Sequence, residues 1–106
     1  SRLEPFKNYA KLIINSIYNF LLDKYSGKNT LAKLNKHKAG FPLTIGYFIE
    51  WLEKYTLRTN SLSKKYANEV IYDLEDKQDY KQAIVDYISG MTDAFAIRAF
   101  NELINF

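Results

Sequence analysis

The 106 residues hold 15 Lys and Arg against 12 Asp and Glu, a formal charge of +3, and 47 % of them are hydrophobic. That balance belongs to one globular domain with a core of its own and excludes a disordered tail. The lack of any cysteine excludes disulfides and thiolate zinc sites and suits a reducing cytoplasm. No apolar run nears the roughly 20 residues of a membrane span, and no signal peptide is visible, so no membrane partner is expected.

The charge is unevenly spread. Residues 1–60 hold ten Lys and Arg against four Asp and Glu, whereas residues 61–106 hold five against eight. A basic first half suits phosphates or nucleic acid as well as it suits a solvated face. The chain starts on Ser1 and enters a helical pattern at once, so it reads as a piece cut from a longer protein.

Glu4-Pro5 opens the first helix, where the missing proline N–H costs nothing. Phe6, Ala10, Ile13, Ile17 and Phe20/Leu21 then recur at helical spacing over roughly five turns. Leu12, Tyr18 and Leu22 widen the stripe, which predicts burial on more than one side. Ser26-Gly27 ends the helix, with Gly27 as a left-handed cap. Asn29 or Thr30 caps a short second helix carrying Leu31 and Leu34 into Lys36-His37-Lys38, cations that suit a helix C-terminus.

Pro42 restarts the chain, and Phe41, Ile45, Phe48/Ile49, Leu52 and Tyr55 form the stripe of a third helix. Gly46 within it costs about 1 kcal/mol relative to Ala, so a close helix contact is expected there. A weaker fourth helix is predicted from about Leu62 to Leu74, with Tyr66 and Val70/Ile71 inward. Asp73, Glu75, Asp76 and Asp79 then complement the start of the last helix, with Asp76 or Asp79 as its N-cap. That helix is predicted from about Tyr80 to Ile104, with Ile84, Ile88, Met91, Phe95 and Ala99 on one stripe. No segment alternates with period two. The expected fold is all-α, an irregular bundle of four or five helices ending in a long C-terminal helix.

Across that last helix, Asp86, Gly90 and Asp93 fall on the face opposite the stripe. Their spacing sets the two carboxylates roughly 10 Å apart, too far for a coupled acid/base dyad but open enough over Gly90 for a backbone or ligand to lie between. Asp86 and Asp93 are then solvated, structural or ligand-binding, and Tyr87 and Thr92 extend the same polar patch or join the core. Lys33, Lys36 and Lys38 are candidate anion contacts or a solvated face. His37, beside them, reads as a solvated helix-end residue. Trp51 reads as a packing residue.

Asp86-Tyr87-Ile88-Ser89-Gly90-Met91-Thr92-Asp93 resembles the DYIAGMTD signature near the C-terminus of bacterial dGTP triphosphohydrolase-like proteins, in the HD phosphohydrolase superfamily. Ser16-Ile17-Tyr18-Asn19 matches an upstream helix of that family more loosely. Where the family continues Arg-Tyr-Ala, this chain has Ala94-Phe95-Ala96, so the role of that arginine does not transfer. The resemblance implies a C-terminal helical domain spanning residues 1–106 and hydrolysis of a deoxynucleoside triphosphate by the parent. It also implies an upstream HD domain holding Mg²⁺ or Mn²⁺ and a homo-oligomeric assembly. Asp86, Tyr87, Gly90, Thr92 and Asp93 would bind substrate or support its pocket. His37 is the only histidine and is followed by Lys38, so these residues hold no metal centre and no catalytic residue, and alone they should be inert. The rival reading is a stand-alone helical module that binds a protein or single-stranded nucleic acid through its basic half.

Overall fold

The computed structural model describes residues 3–56 and 72–105, with side chains from Asn8 onward. Among them are five α-helices and no strand: α1 (Leu3–Asp23), α2 (Thr30–His37), α3 (Tyr47–Tyr55), α4 (Lys77–Ser89) and α5 (Asp93–Ile104). The all-α reading holds. Most of the helix expected over 62–74, including Tyr66, Val70 and Ile71, lies outside the described residues, while Tyr72 and Asp73 are not helical.

α1 follows the sequence periodicity, with Ile13, Ile17 and Leu21 buried against α4 and α5. Leu12 and Ile14, on opposite flanks of that stripe, stay 52 % and 46 % exposed, so the wider apolar surface is not covered by these helices. Gly27 has φ +57° and leads a short 3₁₀ turn. Thr30 secures that turn: its hydroxyl accepts from Ser26 N at 2.8 Å and donates to Gly27 O at 2.7 Å.

The restart at Pro42 is not α-helical at first. Phe41 O accepts from Ile45 N at 2.8 Å and from Gly46 N at 3.3 Å, making Pro42–Gly46 a π-helical turn that runs into α3. The expected inward residues Phe41, Ile45, Phe48, Ile49 and Leu52 are all buried. Gly46 departs from expectation: a Cβ there would meet nothing within 4 Å, so no close helix contact requires the glycine.

The largest correction concerns the last helix. The expected helix from Tyr80 to Ile104 is two helices, divided at Gly90-Met91-Thr92. Gly90 N–H bonds to Asp86 O and Tyr87 O at 3.2 Å and closes α4. Thr92 is extended, and its hydroxyl accepts from Phe95 N at 3.1 Å, so it caps α5. Asp93 follows in the first turn, where a carboxylate suits the helix dipole. At the other end, Asp76 is the N-cap of α4, accepting from Gln78 N at 2.9 Å, while Asp79 accepts from Asp73 N.

Candidate functional site

The corner between α4 and α5 carries every residue of the eight-residue signature, and α3 packs beside it. The corner separates Asp86 and Asp93. They stand on different helices, so the shared helix face with Gly90 midway is replaced by a bend with one carboxylate before it and one after.

Asp86, half-buried on α4, accepts from the Tyr72 hydroxyl at 2.7 Å and from Gln82 Nε2 at 2.9 Å. Tyr72 N–H in turn donates to Tyr55 O at 2.9 Å, so Asp86 fastens the chain entering α4 to the end of α3. The buried indole N–H of Trp51 lies against the Tyr72 hydroxyl without forming a well-aligned hydrogen bond. Tyr87 is buried, packs at a tilt against Phe48 with ring centroids 5.1 Å apart, and donates to Leu43 O at 3.2 Å. It is a core residue tying α4 to the π-helical turn. Gly90 and Thr92 make the corner, and Asp93 is exposed, with no partner for its carboxylate among the described residues.

Glu102 escapes a reading by periodicity. From the last turns of α5 its carboxylate accepts from Leu43 N at 2.7 Å, Thr44 N at 2.8 Å and Thr44 Oγ1 at 2.9 Å. Helix-start N–H groups with no partner inside their own helix need one from elsewhere, and here it comes from the far end of the chain. Glu102 and Tyr87 therefore meet around Leu43–Thr44, one accepting from its N–H groups and the other donating to its carbonyls.

Burial pushes the Tyr87 hydroxyl above its ordinary value, with the Glu102 charge adding to it. Burial alone does the same for Tyr80, and burial followed by the Asp86 hydrogen bond does so for Tyr72. An unfolded tyrosine ionises near pH 10. Above that the unfolded chain has lost protons the folded one keeps, so stability is intact below about pH 10 and falls as pH rises toward the folded values. Each such tyrosine contributes a slope of up to about 1.4 kcal/mol per pH unit. Thermal melts from pH 8 to 11.5 should show that fall, shallower in Tyr80→Phe and Tyr87→Phe; a flat profile contradicts it.

Lys33 is half-buried on α2, and Lys36 and Lys38 are exposed at its end. The structure does not bring Lys33 and Lys36 to the corner. Lys38 lies in a groove of about 290 Å³ that also includes Tyr47 and Glu50. His37 sits in the last turn of α2, where its carbonyl accepts from Gly40 N. Among the described residues no three His, Cys, Asp or Glu side chains are grouped to hold a metal ion. Nor is any helix there long and apolar enough to cross a membrane.

A family model described as the phosphohydrolase-associated domain matches residues 47–102. The chain belongs to that family. The match begins at the first residue of α3 and ends at Glu102, so it takes in α3, α4, the corner and most of α5. No curated protein and no solved structure matches the chain significantly. Membership in the phosphohydrolase-associated family agrees with the HD phosphohydrolase resemblance of the signature, which lies wholly inside the matched residues.

Proposed function

We propose that this chain is the C-terminal helical domain of a deoxynucleoside triphosphate triphosphohydrolase, which converts the nucleotide and water to deoxynucleoside and triphosphate. The observation that carries this reading is the Asp86–Asp93 signature within a phosphohydrolase-associated domain. On this reading an HD motif elsewhere in the same cytoplasmic protein holds Mg²⁺ or Mn²⁺, which activates water and polarises the phosphoester. The residues of this chain do not fit that metal, with one histidine followed by Lys38 and no ligand cluster among the described residues. Their part is support, by packing on the HD domain and joining subunits of a homo-oligomer. The exposed Leu12 and Ile14 of α1 and Ile97 of α5 offer apolar side chains for such packing.

The test is triphosphate release from a panel of deoxynucleotides with Mg²⁺ or Mn²⁺, using the full-length protein and its Asp86→Ala and Asp93→Ala variants. The full-length protein is expected to be active, and the isolated 106 residues inert. Asp93 is exposed, so Asp93→Ala should fold normally and still lose turnover about tenfold if its carboxylate serves the pocket. Full activity in both folded variants makes the signature a packing element only. An inert protein that binds single-stranded DNA with a steep salt dependence replaces the reading with a basic helical module.

A further inference from the structure

Beside the corner lies a cleft of about 320 Å³, walled by Tyr47 and Trp51 of α3, Met91, and Phe95 of α5. Tyr87, Gly90 and Thr92 complete its lining. The volume falls at the lower end of small-molecule sites, which are mostly apolar with a few polar groups. Tyr47 is 51 % exposed although its ring meets Phe95 edge-on at 5.6 Å, so an aromatic surface is held in place while open to solvent.

Gly90 lines the same cleft. Its φ of −86° is open to any residue, and a Cβ there would meet only Tyr87 O at 3.7 Å and Asp86 O at 3.8 Å, ordinary contacts. A methyl group is therefore tolerated there, whereas a longer side chain would extend into the cleft that Gly90 lines. What the missing side chain does leave is room in the cleft.

We propose that this cleft takes the planar base of a nucleotide, with Lys38 in the adjoining groove meeting its phosphates across the Tyr47 ring. Aromatic walls accept any base by its π-face. Thr92 can donate its hydroxyl proton to a base edge while its oxygen holds Phe95 N. The exposed Lys38 supplies the charge that phosphates need, against the opposing carboxylate of Glu50 on the same groove. The choice of a nucleotide over other planar aromatic ligands rests on the hydrolase reading above.

The experiment is calorimetric titration of the full-length protein in EDTA, where nucleotide stays intact. The probes are dGTP, dATP, deoxyguanosine and inorganic triphosphate. Gly90→Leu, which fills the cleft, and Tyr47→Ala, which removes an exposed wall, should weaken the nucleotides and the nucleoside roughly tenfold or more while sparing triphosphate. Gly90→Ala should stay within about twofold, and Lys38→Ala should weaken the nucleotides and triphosphate but not the nucleoside. Wild-type protein that binds no nucleoside overturns the proposal, as does unchanged binding in folded Gly90→Leu and Tyr47→Ala. An 8-azido nucleotide photolabel should mark the tryptic peptides spanning 39–54 or 82–98, and labelling confined to other peptides also overturns it. Turnover is scored separately. Base binding through the cleft without hydrolysis removes the hydrolase reading and keeps this one; hydrolysis indifferent to the cleft variants does the reverse.

Discussion

Tyr80→Ala is expected to cost about 3–5 kcal/mol, the range for emptying a large aromatic site in a core. Tyr80 is fully buried where α1, α3 and α4 meet, with Tyr25 at 5.1 Å and Phe48 at 5.8 Å between ring centroids. Its hydroxyl donates to Leu21 O at 2.6 Å. Ring and hydroxyl separate cleanly. Leu21 O also accepts from Lys24 N at 3.1 Å, so Tyr80→Phe leaves that carbonyl satisfied and should cost only about 1 kcal/mol. Against a typical total of about 5–15 kcal/mol, the alanine variant approaches unfolding and the phenylalanine variant does not. Urea titration with unchanged slope would measure both. An alanine variant close to wild type would mean the ring is not the keystone its burial indicates.

The first and third helices were legible because their inward residues recur at helical spacing, and Ile13, Ile17, Leu21, Phe48 and Leu52 are buried as that spacing demands. The division of the last helix was hidden by the same signal. Ile84, Ile88, Met91, Phe95 and Ala99 keep helical phase straight across the corner, so the stripe gives no sign of a bend. The punctuation was present in Gly90, Thr92 and Asp93: a helix end, a hydroxyl cap and an acid in the next first turn. Reading those residues as a polar face obscured their role as a stop and a start.

Within the candidate site, Asp86, Tyr87, Gly90, Thr92 and Asp93 were legible as one group, and the structure adds a local role for each that periodicity did not assign. Tyr87 is core, Thr92 is a cap, and Asp86 is engaged by Tyr72. Asp93 alone keeps a carboxylate with no partner among the described residues, which makes it the sharper of the two aspartates for testing a contact with substrate. The aromatic cleft was not legible at all. Tyr47 and Trp51 lie about forty residues before Met91 and Phe95 in the sequence, and only the packing of α3 against the corner brings them together.

Removing the Glu102 carboxylate should have the second large effect, and at a distance. Glu102→Ala strips one buried-side acceptor from three donors, Leu43 N, Thr44 N and Thr44 Oγ1. A hydrogen bond to a charged group is worth about 1.5–3 kcal/mol. These bonds are not additive, since Thr44 Oγ1 retains Ala99 O at 3.1 Å and water can reach part of the site. The expected loss is therefore about 2–4 kcal/mol. Glu102→Gln keeps one oxygen but turns an amide N–H₂ toward backbone donors, so it should fall between wild type and alanine rather than restore the contact. Amide hydrogen exchange distinguishes this cap from a general loss of stability. Exchange at Leu43 and Thr44 should accelerate in Glu102→Ala more than exchange in the middle of α1, whose core residues Ile13 and Ile17 do not touch the cap. Uniform acceleration through both regions would mean that Glu102 contributes only to global stability. Selective acceleration would establish that the end of α5 holds the start of α3, and with it one wall of the cleft.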